Sequence, residues 1–108
     1  AMVKTVSVRR AEKLARLSEA VQLLCRDLSQ YTRGASGAFY LFGSYVRGDF
    51  SDDSDVDILV DFSEVGRAEA MDFAETACLR YDLKPDIRPA QWVSGRFADR
   101  VRREGRKL

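Results

Sequence analysis

The stretch from Leu41 to Phe62, LFGSYVRGDFSDDSDVDILVDF, carries six acidic residues, one arginine and two glycines in 22 positions. Within it, Asp55 and Asp57 are separated by the single residue Val56. On an extended chain both side chains leave the same face, with their backbones roughly 6.5 to 7 Å apart by the strand rise. Two carboxylates on a half-buried face without a counter-charge raise a pKa or cost several kcal/mol, and a divalent cation removes that cost. Just upstream, Gly43 permits close approach of backbone to ligand and Ser44 offers a hydroxyl. The first N–H groups of a helical turn starting there are unpaired donors for an anion. Arg47, three residues on, falls on the same side and is suited to clamp a polyphosphate bidentately. Paired carboxylates and an anion cradle therefore stand twelve residues apart on adjoining elements.

The sequence contains no histidine. A Ser-His-Asp triad, a His-ligated zinc and an imidazole base are excluded, and acid-base or metal chemistry falls to carboxylates. Oxygen donors favour hard cations such as Mg2+ or Mn2+. A calcium loop fails: Asp53, Asp55, Asp57 and Glu64 occupy its first, third, fifth and twelfth positions, but the sixth, where the turn needs glycine, is Ile58. Asp49 reads as an organiser of the loop after Gly48, and Asp52, Asp53 and Asp61 as solvated charge.

The elements that must hold these groups follow from periodicity. From about Ser7 to Tyr31, apolar Leu14, Leu17, Val21, Leu24, Cys25 and Leu28 recur at three-four spacing, one stripe of a long helix that RGASG ends. AFYLFG reads as a buried strand closed by glycine. DVDILVDF alternates, with Val56, Ile58 and Val60 on one side and Asp55, Asp57, Leu59 and Asp61 on the other. A second helix spans Ser63 to Arg80, and KPDIRPA is a short strand between Pro85 and Pro89, near a sheet edge. The tail, with Trp92, Phe97 and Val101, suits a helical piece followed by a turn and a short extension. The fold class expected is α/β (α+β), a small mixed sheet packed against helices.

With 108 residues, 45% hydrophobic and 32% charged, the chain reads as a single domain over residues 1–108. Ala1 ahead of Met2 reads as a residue left over from expression. No run of 18 apolar residues occurs and no signal-like start is visible, so a cytoplasmic protein without a membrane partner is expected. Cys25 and Cys78 lack paired spacing and read as buried free thiols. The formal charge of +1 is segregated: net +4 from Ala1 to Phe42, −7 from Gly43 to Arg88 and +4 from Pro89 to Leu108. An acidic middle between basic ends suits a central cation and an anionic partner reached from the flanks.

Gly43-Ser44, ten intervening residues, then Asp55-Val56-Asp57 resembles the signature of the nucleotidyltransferase superfamily related to DNA polymerase beta. The fuller string GSYVRGDFSDDSDVDILV is similar to the minimal nucleotidyltransferases usually encoded beside a HEPN-domain toxin. The resemblance is strong from Tyr40 to Phe62 and weak to the end of the chain. It implies a polymerase beta palm-like fold and a nucleoside triphosphate bound with two Mg2+ (or Mn2+) ions on three acidic residues. Two of these match Asp55 and Asp57, and the third, from a later strand, matches Asp86 in KPDIRP; Asp82, its rival, falls where the helix should be ending. Gly43, Ser44 and Arg47 match the phosphate-binding turn.

The resemblance further implies transfer of AMP from ATP to a tyrosine of a HEPN ribonuclease toxin, silencing it, with the chain acting as antitoxin and pairing with the toxin. Two alternatives stand beside it: an antitoxin that neutralises by binding alone, and nucleotidyl transfer to RNA or a small molecule. Direct nucleic-acid binding is disfavoured, because the basic tail lacks interleaved aromatic residues for stacking bases.

Overall fold

The computed structural model describes residues 5–108; Ala1, including its reading as an expression remnant, lies outside them. Helix α1, Val6–Thr32, starts at Thr5, whose hydroxyl accepts from Val8 N at 3.2 Å and satisfies one orphan donor of the first turn. Strand β1, Ala38–Phe42, leads through Gly43 into the single turn α2, Ser44–Arg47. After a loop come β2, Val56–Asp61, helix α3, Glu64–Arg80, and β3, Pro85–Pro89. A 3₁₀ turn over Ala90–Trp92, helix α4, Gly95–Glu104, and β4, Arg106–Lys107, follow.

The four strands form one mixed sheet in the order β3-β2-β1-β4. β1 is antiparallel to both β2 and β4, whereas β2 and β3, joined by the crossover helix α3, are parallel. As the prolines suggested, β3 is an edge strand.

Period-two alternation sorts the strand side chains between two layers. On one face Phe39, Leu41, Val56, Ile58 and Val60 pack against Leu24 and Leu28 of α1 and the small residues Ala70, Ala74 and Ala77 of α3. Three buried alanines let α3 approach the sheet closely, and each fully buried large apolar side chain contributes about 1.5–3 kcal/mol. Only the C-terminal half of the α1 stripe is buried: Val21, Leu24 and Leu28 are, while Leu14 and Leu17 stay half-exposed. Asp27 ties α1 to the end of α3 by accepting from Arg80 Nη1 at 3.1 Å and from the Tyr81 hydroxyl.

On the other face Leu59 is fully buried with Ala90, Ala98 and Val101, so α4 covers this side. Both cysteines are free, Cys78 buried and Cys25 half-buried, and burial pushes the Cys78 thiol up to about 12.

Candidate active site

The α4 face of the sheet is where the polar candidates gather. β2 turns Asp57 toward that side, between buried Val56 and Ile58. The parallel register sets Asp57 directly opposite Asp86, and residues paired across a ladder leave the same face. Burial first, and then the facing Asp86 carboxylate, push the Asp57 carboxyl up from 3.8 to about 6; Asp55 adds a smaller repulsion. Asp86 moves the other way. Arg88, two residues along the same strand, donates from Nε to Asp86 Oδ1 at 3.2 Å and from Nη2 to Oδ2 at 3.1 Å, which holds Asp86 below the usual carboxylate range.

Asp55 was expected on the strand beside Asp57, but β2 begins at Val56 and Asp55 is exposed on the preceding loop. The first bond between the two strands is Val56 N donating to Lys84 O at 2.7 Å, just before the partner strand starts at Pro85, and Asp55 lies ahead of it. Asp82, the rival to Asp86, is a turn residue beyond α3 with φ 55°.

The antiparallel register sets Phe42 opposite Asp57, which brings the glycine turn over the same carboxylate. Gly43 has φ +79°, and a methyl group on it would overlap Asp57 Oδ2. The glycine is thus required twice, by backbone conformation and by the closeness of the carboxylate. Val46 N and Arg47 N both donate to Gly43 O at 3.1 Å, closing α2, while Ser44 N and Tyr45 N lie ahead of any intrahelical acceptor. Gly48, at φ +85°, ends the turn by donating to Ser44 O at 2.8 Å. Tyr45 is buried and stacks on Phe50 with ring centroids 4.4 Å apart, which anchors the turn. Arg47 is exposed, its Nε 3.4 Å from Asp49 Oδ2.

A cleft of about 540 Å³ opens between this turn and α4, lined by Gly43, Arg47, Asp57, Arg88, Phe97 and Arg100 among others. The structure thus joins Gly43, Arg47 and Asp57 in one cleft, with Asp86 adjoining through Asp57 and Arg88. Ser44 begins the turn at its edge, and Asp55 contributes charge from the loop. Arg88, Phe97 and Arg100 were not read from the sequence as site residues. Arg88 had a usable signal, because Asp-x-Arg on a strand puts both side chains on one face. For α4, only folding places its residues opposite the glycine turn.

A divalent cation is tested against this donor set by its electrostatics. Two facing carboxylates, one carrying a raised pKa, form the all-oxygen site whose repulsion a hard cation relieves. Among the described residues no group of three or more His, Cys, Asp or Glu stands in metal-holding geometry, and both oxygens of Asp86 are engaged by Arg88. The pair Asp57 and Asp86 fits; Asp55 stands on the adjoining loop, close enough to add to the repulsion on Asp57.

Comparison with known proteins agrees with this architecture. The family model described as nucleotidyltransferase domain matches residues 17–104. A Methanocaldococcus jannaschii protein, MJ0141, assigned by inference as a protein adenylyltransferase, is 33% identical over 69 residues, 64% of this chain and 70% of that protein. The protein adenylyltransferase MntA of Thermococcus cleftensis is 72% identical over a shorter stretch of 25 residues, 23% of this chain and 25% of MntA. Among solved structures, a toxin–antitoxin complex with AMP-PNP matches with TM-score 0.52 at 23% identity over 83% of this chain and 70% of that one, a likeness of fold. A structure described as a minimal nucleotidyltransferase matches over 100% of both chains with TM-score 0.51 and 25% identity. By its motif, its mixed sheet and the span of the family match, the chain belongs to the nucleotidyltransferase domain family and is a nucleotidyltransferase.

Proposed function

We propose that the chain is a protein adenylyltransferase that transfers AMP from ATP to a tyrosine of a HEPN-domain toxin and thereby acts as its antitoxin. The observation that carries the reading is the register of Asp57 against Asp86 beneath the Gly43–Ser44 turn, a carboxylate pair and an anion cradle on one cleft. Similarity to two protein adenylyltransferases supports the nucleotide and the protein acceptor. The toxin rests on the resemblance in the motif, and a toxin–antitoxin complex shares the fold.

In this reading Ser44 and the N–H groups of Ser44 and Tyr45 receive the phosphate tail of ATP, and Arg47 adds a guanidinium fork. Asp57 and Asp86, joined by Asp55, would hold Mg2+ or Mn2+, which supplies neutralisation of the triphosphate and a lowered pKa for the attacking hydroxyl. The acceptor oxygen bonds to the α-phosphorus as the bond to the β-phosphate bridging oxygen breaks, and pyrophosphate leaves. The hydroxyl proton passes to the aspartate pair, with Asp86, kept ionised by Arg88, as its acceptor.

The test mixes the purified chain with its neighbour-encoded partner, Mg2+ and ATP labelled at the α-phosphate. Label on a partner tyrosine that disappears with Asp55→Ala and Asp57→Ala is expected. A partner that is inhibited tightly yet stays unlabelled would replace transfer by simple binding, and label on RNA would replace the protein acceptor.

A further inference from the structure

Helix α4 divides its cations between two tasks. Arg102 is used within the fold, donating to Asp61 Oδ2 at 3.0 Å and to Asp99 Oδ1 at 2.9 Å. Arg96, Arg100 and Arg103 fall at i, i+4 and i+7, so helix geometry lines them up over roughly 10 Å of one face. With Ser94 and Phe97 they border a shallow depression of about 250 Å³. None of the three pairs with a carboxylate among the described residues. Arg100 lies over the Phe97 ring, 5.7 Å from its centroid.

This arrangement works against the isolated fold. Like charges at these spacings repel, and Arg96 sits in the first turn of α4, which holds no acidic residue and where the helix dipole disfavours a cation; Asp99, three residues on, is engaged by Arg102. The stripe also runs into the reaction cleft, because Phe97 and Arg100 line both depressions. A bound anion would relieve the repulsion and lie at the mouth of the site.

We propose that the Arg96–Arg100–Arg103 stripe docks an acidic segment of the protein that receives the nucleotide, holding its hydroxyl at the mouth of the cleft. The inference rests on the protein-acceptor reading above. Guanidinium forks match carboxylates bidentately, and an extended peptide covers 10 Å with about three residues, so a short acidic run suffices. RNA is the poorer occupant. The one ring on the stripe, Phe97, already has Arg88 and Arg100 at 5.8 and 5.7 Å from its centroid, and the exposed Trp92 does not border the depression, so the stripe itself offers no free ring for stacking bases.

The experiment measures fluorescence anisotropy of the full chain with three labelled probes: a tyrosine flanked by glutamates and aspartates, the same peptide with lysines, and a short oligouridylate. The acidic peptide is expected to bind in a salt-sensitive manner, at least about tenfold tighter than the lysine peptide. Arg96→Glu with Arg103→Glu should weaken it by about tenfold or more, while Arg96→Lys with Arg103→Lys retains most of the binding; Arg96→Gln with Arg103→Gln substitutes if the reversal does not fold by circular dichroism. Equal binding of the two peptides, unchanged binding by the variants, or preferential binding of oligouridylate would overturn the assignment. Asp57→Asn separates the two claims: docking that survives with transfer absent even in the wild-type chain leaves the stripe standing and removes the transfer reading, while transfer that persists without acidic-peptide docking does the reverse.

Discussion

Replacing Asp57 with asparagine should stabilise the ion-free protein at neutral pH while removing its activity. The folded chain raises this carboxyl from 3.8 to about 6, so it holds its proton more tightly folded than unfolded. Its favourable contribution is therefore complete below about 4 and is lost as pH rises through about 6. A rise of about two pH units corresponds to about 3 kcal/mol of penalty on the ionised form. The group is only partly buried, and solvent screening reduces this to about 1–1.5 kcal/mol. Asp57→Asn keeps the shape and removes the charge. For a domain of about 100 residues, 1 kcal/mol corresponds to about 4–8 °C in Tm. Melting followed by circular dichroism, without divalent ions, should place the variant roughly 4–10 °C above wild type at pH 7.5, with the gap closing toward pH 4. Adding Mn2+ should raise the wild type and leave the variant nearly unmoved, while transfer falls by at least about a hundredfold, some 2.7 kcal/mol at the transition state. A variant no more stable at pH 7.5, or a gap independent of pH, would refute the account of two crowded carboxylates.

Gly43→Ala meets both a positive φ and Asp57 Oδ2, so a loss of about 1–3 kcal/mol in a denaturant titration is expected, together with lost transfer. Arg88→Ala releases both Asp86 oxygens; the Asp86 carboxyl should titrate at higher pH by carbon-13 NMR, at a stability cost below about 1 kcal/mol because the pair is partly exposed. Ser94→Ala removes the acceptor of Phe97 N, a 3.1 Å cap on α4, and should cost about 1 kcal/mol while loosening the helix that closes the cleft, measured as a lower Tm and faster amide exchange in α4.

Much of this molecule was legible in one dimension because its elements are locally coded. The three-four spacing of Val21, Leu24 and Leu28, the alternation from Val56 to Asp61 and the prolines fencing β3 each state an element type without reference to distant residues. Gly43-Ser44 and Asp57 could be read as chemistry for the same reason. The α1 stripe marked the helix and its apolar face but not how deeply each position is covered; Leu14 and Leu17 remain half-exposed.

Pairing decisions required the folded chain. No local pattern says that Asp57 faces Asp86 and not its neighbours, because register is a property of two strands brought together by α3. Nor does local pattern begin β2 at Val56, which depends on where β3 comes alongside it, Val56 pairing with Pro85 29 positions away. The sequence by itself determined which residues are capable of the chemistry, since composition and period are carried along the chain. Tertiary structure alone decided which of them meet, setting Asp57 against Asp86 and α4 across the cleft, because those contacts join segments that have no covalent reason to be near each other.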